Sequence, residues 1–306
     1  MASQAVKGVA AMVAACSIWG LSPIYYKELA HVPALEVLSH RMIWSLVIFG
    51  LLLAVQGRLG AIITALRGRR AFALIAVASL MIAVNWSLFI WSVQTGHTTQ
   101  TSLGYYIYPL VAVVIGRLVF GERLTPLQWL AVALAATAVA LLTFGLGTAP
   151  WIALALAVTF GIYGLIKKQL DLGPVVSVTA EILLLIPLAA AVLLQTHHNG
   201  GAVLGGDLRT AALLIFAGPI TALPLILFSY AARRLTMTST GLLQYINPTL
   251  QFGCAVFIFA EPFGPWHVAA FALIWTALAL YSATALVLDN ARRKAARAAA
   301  ASGTTL

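Results

Sequence analysis

The chain has 306 residues, of which 62% are hydrophobic and only 8% are charged. Soluble domains are about a quarter charged, so this composition excludes a soluble protein and indicates that lipid surrounds most of the chain. The formal net charge of +10 does not indicate nucleic-acid binding, because the basic residues are sparse and scattered. The two cysteines, Cys16 and Cys254, lie within apolar runs and are interpreted as small core residues without a disulfide.

Apolar segments of membrane-spanning length recur along the whole chain. A bilayer needs roughly 20 apolar residues per helix, and ten segments qualify. In chain order they are 7–26, 36–56, 71–93, 99–119, 125–143, 150–167, 175–195, 209–232, 238–260 and 265–288. The first resembles a signal peptide, but its apolar run continues past Cys16, and we predict an uncleaved helix. The fold class predicted is an all-α polytopic membrane protein.

The distribution of lysine and arginine predicts the orientation. With the N-terminus inside, the outer side carries only Lys27 and Arg209, and Arg41 lies within a span. The inner side carries Lys7, Arg58, Arg67, Arg69, Arg70, Arg117, Arg123, Lys167, Lys168, Arg233, Arg234, Arg292, Arg293, Lys294 and Arg297. Cytoplasmic loops are enriched in these residues, so both termini are predicted to be cytoplasmic.

Residues 98–132 are echoed at 237–271 with a constant offset of 139. The matched pairs are Tyr106 and Tyr245, Pro109 and Pro248, Phe120 and Phe259, Glu122 and Glu261, and Pro126 and Pro265. The chain is therefore predicted to hold two five-helix repeats, 1–145 and 146–288, followed by a basic cytoplasmic tail, 289–306. An odd number of spans inverts the second copy, an arrangement typical of alternating-access carriers with a midplane site between the copies.

Several motifs carry a resemblance to a known family. They are the run from Gly104 to Pro109 followed by Gly121-Glu122-Arg123, then Ile18-Trp19-Gly20, Ser39-His40-Arg41, Asn85-Trp86, and the run from Gln244 to Thr249. In this the chain resembles RarD-type proteins of the EamA branch of the drug/metabolite transporter superfamily. The resemblance implies ten helices, two EamA repeats, a bacterial inner-membrane location, and export or exchange of small metabolites or drugs; the family carries a "chloramphenicol-sensitive" label. The chain departs from internal symmetry where Asn247 precedes Pro248 but Tyr108 precedes Pro109, so the two linings are chemically unequal.

Polar residues in a span tend to face a cavity or a partner helix. In the ninth segment Thr240, Gln244, Asn247 and Gln251 form one helical stripe, and its repeat equivalents are Thr101, Tyr105, Tyr108 and Ala112. We interpret the two stripes as facing walls of a substrate pathway. The alternative is interhelical hydrogen bonding that only holds helices together.

Aromatic residues and prolines extend this predicted pathway. Trp19, Tyr26, Asn85 and Trp86 suit a mostly apolar or aromatic solute, although an interfacial aromatic belt also recruits tryptophan. Pro109 and Pro248 each remove a backbone hydrogen bond and are predicted hinges, with passive kinks as the alternative.

Ionisable residues inside spans are candidates for coupling. His40, Arg41 and Glu181 are predicted to carry protons or charge, with a static pair of Arg41 with Glu36 or Glu181 as the alternative. Lys27 is predicted to pair with Glu28 at the interface. Glu122 and Glu261 are predicted to close loops.

Small residues predict packing between the fifth and tenth segments, at the back of the bundle. They are Ala131, Ala135, Ala136 and Ala140 in one segment and Ala269, Ala270, Ala277 and Ala279 in the other.

The sequence contains no hydrolytic, redox or phosphate-binding motif, so no enzyme, cofactor or metal site is expected. A secondary-active carrier of a small-molecule solute is the favoured function, with a passive channel or lipid flippase as alternatives and an intramembrane enzyme disfavoured. The expected partners are the solute and the lipid bilayer, without nucleic acid; a homodimer is left open.

Overall fold

The computed structural model describes residues 2–121, 124–147, 149–201, 204 and 206–301. Within these ranges the chain forms α-helices and one π-helical turn, with no strand. The elements are α1 (Ala2–Glu28), α2 (Ala34–Val55), α3 (Gly60–Leu66), α4 (Arg69–Gln94), α5 (Thr98–Phe120), α6 (Pro126–Leu146), α7 (Trp151–Gln169), α8 (Pro174–His198), α9 (Leu208–Ala232), α10 (Met237–Gln244), α11 (Ile246–Gly253), the π-helical turn (Cys254–Ile258) and α12 (Pro265–Ala301).

Nine helices of the described part are long and apolar enough to cross a membrane: α1, α2, α4 to α9, and α12. Large apolar side chains point outward from them, such as Phe144 with 86% and Leu118 with 78% of its surface exposed. Only a lipid solvent makes such exposure favourable, because water would penalise the bare apolar area. The predicted all-α polytopic membrane fold is confirmed.

The ninth predicted segment, 238–260, is not one helix. It is divided into α10, α11 and the π-helical turn, with the first break at Tyr245. Pro248 falls in the first turn of α11, where a missing N–H and a fixed φ are tolerated best. Its partner α5 runs unbroken through Pro109, so the two proline-containing copies differ in shape.

Local signals set several helix ends. Thr125 and Gln128 form the capping box that begins α6, with Gln128 N donating to Thr125 Oγ1 at 3.3 Å. Asp207 begins α9 by accepting from Thr210 N at 2.9 Å, and its hydrogen bonds with Thr210 hold the pKa of this carboxyl below its ordinary value. The short helix α3 was not predicted, because seven residues are too few for a spanning segment.

The contacts between the two halves of the chain occur in pairs, and the two members of a pair are exchanged when the two predicted repeats are exchanged. The pairs α5 with α7 and α1 with α11 correspond to each other, as do α4 with α7 and α1 with α9, and α4 with α8 and α2 with α9. The pairs α2 with α8, α5 with α11, and α6 with α12 join equivalent helices directly.

The predicted packing of the fifth and tenth segments is confirmed, since α6 and α12 lie against each other. The buried alanines at this contact are Ala131, Ala135, Ala138, Ala270 and Ala277. Ala136 and Ala140, also predicted there, are exposed, because they lie on the lipid-facing side of α6. Small residues let the two backbones approach closely.

Two glycines allow helices to approach at the centre of the bundle. A Cβ at Gly104 of α5 would lie 2.8 Å from the carbonyl oxygen of Ala153 in α7. A Cβ at Gly20 of α1 would lie 2.9 Å from the carbonyl oxygen of Asn247 in α11. These contacts fix α1 and α5 beside the candidate site.

Candidate functional site

A cavity of about 760 Å³ lies between the two predicted repeats. The first half contributes Cys16, Trp19, Ser22, Tyr26, Arg41, Ile82, Trp86, Phe89, Tyr105, Tyr108 and Pro109. The second contributes Phe160, Tyr163, Gly164, Lys167, Leu172, Pro174, Val178, Ile220, Thr221, Leu225, Phe228, Gly241, Leu242, Gln244, Tyr245, Asn247, Pro248, Gln251, Tyr281 and Ser282. Among the described residues, none from α3 or α6 lines the cavity. Helix α12, predicted to lie away from the pathway, contributes two lining residues, Tyr281 and Ser282.

Most residues predicted for the pathway meet at this cavity. They are Trp19, Tyr26, Trp86, Tyr105, Tyr108, Gln244 and Asn247, together with the predicted hinges Pro109 and Pro248. Asn85, Thr101, Thr240, His40 and Glu181 do not line it. The cavity is therefore an aromatic chamber with a few amides, as the sequence pattern favoured.

Asn85 acts as a brace between helices. Its Nδ2 donates to the carbonyl oxygen of Leu156 and to Thr159 Oγ1, both at 3.0 Å, and its Oδ1 accepts from Tyr105 at 2.9 Å. Neighbouring positions on a helix point in different directions, so Trp86 enters the cavity and Asn85 faces α7. The bond to Tyr105 fixes one wall of the chamber.

The two predicted threonines lie outside the lining for different reasons. Thr101 is fully buried and donates to the carbonyl oxygen of Thr98 at 2.6 Å, which ties it to the start of its own helix. Thr240 is half-buried in α10, and the break at Tyr245 removes it from the direction of Asn247. Of the stripe predicted on one straight helix, Gln244, Asn247 and Gln251 line the cavity and Thr240 does not.

A hydrogen bond joins two residues of the predicted facing walls. Tyr108 of α5 donates to Gln244 Oε1 of α10 at 3.2 Å. Gln251 donates to Asn247 Oδ1 at 2.9 Å, and Gln251 Oε1 is buried without a hydrogen-bond partner. An amide oxygen buried unpaired is costly, which makes it available to a ligand that donates.

Helix α7 supplies part of the lining that sequence reasoning missed. Phe160, Tyr163, Gly164 and Lys167 recur at one helical face, a spacing that was available as a signal. The Phe160 ring lies 4.9 Å from that of Tyr108 and 5.7 Å from that of Tyr105. Together they form an aromatic wall across the junction of the halves.

Glu181 is held in a buried ion pair. It is 1% exposed and accepts from Lys167 Nζ at 2.6 Å, Ser177 Oγ at 2.8 Å and Tyr163 OH at 3.0 Å. The Lys167 ammonium also donates to Ser177 Oγ. The partner of Glu181 is therefore Lys167, not the predicted Arg41, because Lys167 turns inward from the end of α7 instead of extending to the interface.

Arg41 has a different environment. The side chain lies in the cavity wall with only 6% of its residue surface exposed, and its Cζ is 3.9 Å from the centroid of the Trp86 ring. The Tyr26 ring lies on another side, at 5.9 Å. Neither Glu36 nor Glu181 forms an ion pair with it in the described part of the chain, so the static pair of Arg41 that was the alternative to coupling is wrong. His40, next to it, is buried away from the lining.

A carboxylate at the start of α5 joins the two halves of the chain. Glu261 Oε1 accepts from Thr98 N, and Oε2 accepts from Thr99 N and Thr99 Oγ1, each at 2.7 Å. The unpaired N–H groups at a helix start and the helix dipole both favour a carboxylate there. Glu261 thus closes a loop, as predicted, and caps α5; its repeat equivalent Glu122 lies outside the described residues.

Lys27 lies at the same end as this cap. Its Nζ donates to the carbonyl oxygens of Val93 at 3.5 Å and Gln94 at 3.4 Å, at the C-terminus of α4. Glu28 instead pairs with Arg209 at 2.5 Å. The predicted Lys27–Glu28 pair is wrong, because successive helical residues point apart.

The opposite end of the cavity reaches the α7–α8 connection. Leu172 and Pro174 belong to the lining, whereas none of the described residues in 29–33, 95–97, 147–150, 199–207 or 259–264 does. The described lining therefore reaches the connection that follows Lys167 and Lys168, and does not reach the connection that carries Glu261.

Comparison with known proteins gives concordant results. The EamA-like transporter family matches residues 6–144. A protein named RarD from Streptomyces exfoliatus is 43% identical, covering 95% of this chain and 92% of its own. An uncharacterized transporter of Vibrio cholerae is 40% identical, covering 95% and 97%. A protein of known crystal structure is 16% identical, with a TM-score of 0.58 over 94% of this chain and 99% of that one, and shares the fold.

Proposed function

Because this chain belongs to the RarD-type members of the EamA-like transporter family, we propose that it is a secondary-active carrier that works by alternating access. The chain is a multi-pass membrane transporter of the drug/metabolite transporter superfamily. The proposal adds the mechanism, the kind of solute, the membrane and the orientation. A bacterial inner membrane with both termini in the cytoplasm is the setting proposed.

The single observation that carries the mechanism is the cavity between the two halves. Its lining reaches the α7–α8 connection at one end, and at the other end Glu261 holds the start of α5 from the opposite half. A channel conducts through a continuous path, whereas a carrier exposes its site to one side at a time. A chamber sealed at one end by bonds between the halves supports the carrier.

Helix packing gives further support. The pairs α5 with α7 and α1 with α11 are exchanged when the two repeats are exchanged, and so are α4 with α8 and α2 with α9. An approximate two-fold relation of this kind lets the same chain close either end with equivalent contacts. In this state the closed end is the one proposed to face the periplasm, since the open end carries Lys167 and Lys168.

The lining supports a small solute with an apolar or aromatic body. Trp19, Trp86, Tyr105, Tyr108 and Phe160 provide aromatic faces, and the amides of Gln244 and Asn247 provide a few directed polar contacts. Such a combination is typical of sites that enclose small organic molecules. Export or exchange of metabolites or drug-like solutes follows as the proposed role.

Counterflow tests the carrier directly. Purified full-length protein is screened by thermal shift against amino acids, metabolites and phenicols, and reconstituted with the strongest stabiliser. Vesicles loaded with unlabelled solute should take up labelled solute faster and transiently above equilibrium, because an alternating site exchanges. Empty vesicles with protein, and loaded vesicles without protein, are the controls. Uptake that is linear in concentration and indifferent to internal solute would reject the carrier in favour of a channel.

A lipid flippase is the second candidate, favoured by one observation. A groove of about 450 Å³ beside α12 is lined by Tyr106, Trp275 and Leu278, and shares Leu242, Tyr245 and Ser282 with the cavity. A lipophilic substrate could therefore reach the chamber sideways. Translocation of a fluorescent phospholipid in the same vesicles, without counterflow of any water-soluble solute, would favour this function.

A further inference from the structure

Arg41 is the feature of the cavity that the proposed carrier leaves without a role. The lining contains two basic residues in the described part of the chain, Arg41 and Lys167, and no acidic residue. Lys167 is neutralised by Glu181 at 2.6 Å. No carboxylate among the described residues lies within salt-bridge distance of Arg41. The chamber therefore has one uncompensated positive charge.

Part of the hydrogen-bonding edge of Arg41, its Nε–H group, is unused. The Trp86 ring, with its centroid 3.9 Å from Cζ, makes a cation–π contact with the guanidinium. A ring contact of this kind does not supply the in-plane acceptors that the N–H groups require. The residue surface of Arg41 is only 6% exposed, and its buried Nε atom has no hydrogen-bond partner.

Such an arrangement is costly unless something completes it. A charge buried in or near the bilayer without a partner is strongly penalised, and a missing acceptor adds to the cost. A guanidinium edge matches the two oxygens of a carboxylate, which supplies both the charge and the in-plane acceptors. The arginine is thus preorganised for an anion that comes from outside the chain.

We propose that the solute carried by this site is an organic monoanion, whose carboxylate binds the edge of Arg41 and whose apolar or aromatic body lies against the rings of the chamber. This inference rests on the proposed function, because it names the substrate class of the same cavity. One unpaired cation favours a single negative charge over a phosphate ester dianion. The surrounding rings of Trp19, Tyr105 and Phe160 favour a flat apolar body.

The test uses two probes of matched shape, one with a carboxylate and one with a neutral amide in its place. Indole-3-acetate and indole-3-acetamide have nearly the same shape, and their binding to the purified full-length protein is measured by calorimetry. Wild-type protein should bind the carboxylate at least about tenfold more tightly than the amide, because a charged hydrogen-bonded pair is worth roughly this much or more. Equal binding of the two, or binding of neither, overturns the inference.

Variants at Arg41 assign the preference to that residue. Arg41→Gln should bring the ratio of the two affinities close to one, and Arg41→Lys should retain part of it, because an ammonium keeps the charge but not the planar edge. The ratio is read on each folded sample, so a loss of stability common to both probes does not affect it. Arg58→Gln, outside the spanning helices, is the matched control and should keep the wild-type ratio. A preference that persists in Arg41→Gln overturns the inference.

Counterflow of the same probes separates this inference from the proposed function. Counterflow of both compounds without preference for the carboxylate leaves the carrier intact and rejects the anion site. Binding of the carboxylate that depends on Arg41, with no counterflow, supports the anion site and rejects the carrier.

Discussion

The carboxylate of Glu181 is almost fully buried, with 1% of the residue surface exposed, and three side chains donate to it. Its ion-pair partner is Lys167, at 2.6 Å. Proton coupling through Glu181, His40 or Arg41 stays a prediction, but the ion pair gives Glu181 a structural role of its own. That role is accessible to measurement without any knowledge of the solute.

Replacing one partner of this ion pair should lower the free energy of unfolding more than replacing both partners. Glu181→Leu leaves the Lys167 ammonium without its counter-charge and should lower the free energy of unfolding by about 3 kcal/mol. The double variant Lys167→Leu with Glu181→Leu should recover most of that loss, because an apolar pair of similar volume replaces the charges. Unfolding in detergent, measured for both single variants and the double, gives the coupling energy. Additive losses would contradict the pair.

At the same scale, single residues show how far the sequence alone reaches. Trp86 and Asn85 are both predicted for the pathway, and only Trp86 lines the cavity, because an isolated dipeptide does not reveal which side faces it. Lys167 was assigned to the interface from its position at the end of a span. Its inward turn depends on Glu181, which is fourteen residues away in another helix, and no local pattern carries that contact.

At the scale of elements, the start of α5 and the carboxylate that caps it form the closed end of the cavity. All three bonds from α5 to Glu261 are 2.7 Å long and cross between the predicted repeats. Hydrogen bonds to a charged group are stronger than neutral ones. Opening this end therefore requires that the carboxylate be given new partners.

Glu261→Gln should weaken this closure. The amide keeps the size but loses the charge and one acceptor oxygen, at a cost of about 2 kcal/mol. A cysteine at Thr221 in the lining should then react several-fold faster with a membrane-impermeant maleimide added from the outside. Glu28→Gln is the matched control, since Glu28 pairs with Arg209 in an exposed position, 52% and 78% exposed respectively. Equal labelling in the two variants would argue against a closing role for Glu261.

Packing of α6 against α12 offers a test at the same scale. Ala135 is 8% exposed and lies in the contact between α6 and α12. Ala135→Leu adds volume there and should lower the free energy of unfolding by about 1–3 kcal/mol. Ala136→Leu makes the same change on the exposed side and should stay within about 0.5 kcal/mol. Neither alanine lines the cavity, so solute affinity should be unchanged in both. A larger loss in affinity than in melting temperature for Ala135→Leu would contradict this placement.

The break in the ninth segment marks the limit of prediction for whole elements. Hydropathy found the apolar run from 238 to 260 but not its division at Tyr245 or the π-helical turn at Cys254–Ile258. Proline was present in both copies, and only one copy is broken. The difference depends on neighbours, such as the close approach of Gly20 to Asn247, that a single sequence does not show.

At the scale of the whole molecule, alternation of the helices predicts which connections share a side. Cysteine replaces Arg69, Lys168, Ala149 or Asn199 one at a time, in a background without Cys16 and Cys254. Ala149 and Asn199 are preferred over Gly147, whose φ of 70° disfavours a side chain, and Gly201, where a Cβ would lie 2.8 Å from Thr196 Cγ2. Positions 149 and 199 should react with an impermeant maleimide from outside, and 69 and 168 only after permeabilisation. Reaction at 199 only after permeabilisation would contradict the inverted repeats.

The uncompensated charge of the chamber also has an electrical consequence. A solute that neutralises Arg41 would be exported as an anion, and each export cycle without exchange for another anion would move one negative charge. An inside-negative potential favours this outward movement by about 2.3 kcal/mol per 100 mV. The membrane voltage would then drive export of this kind. The unpaired arginine would in this way make the transporter electrogenic, and its rate would depend on the membrane potential.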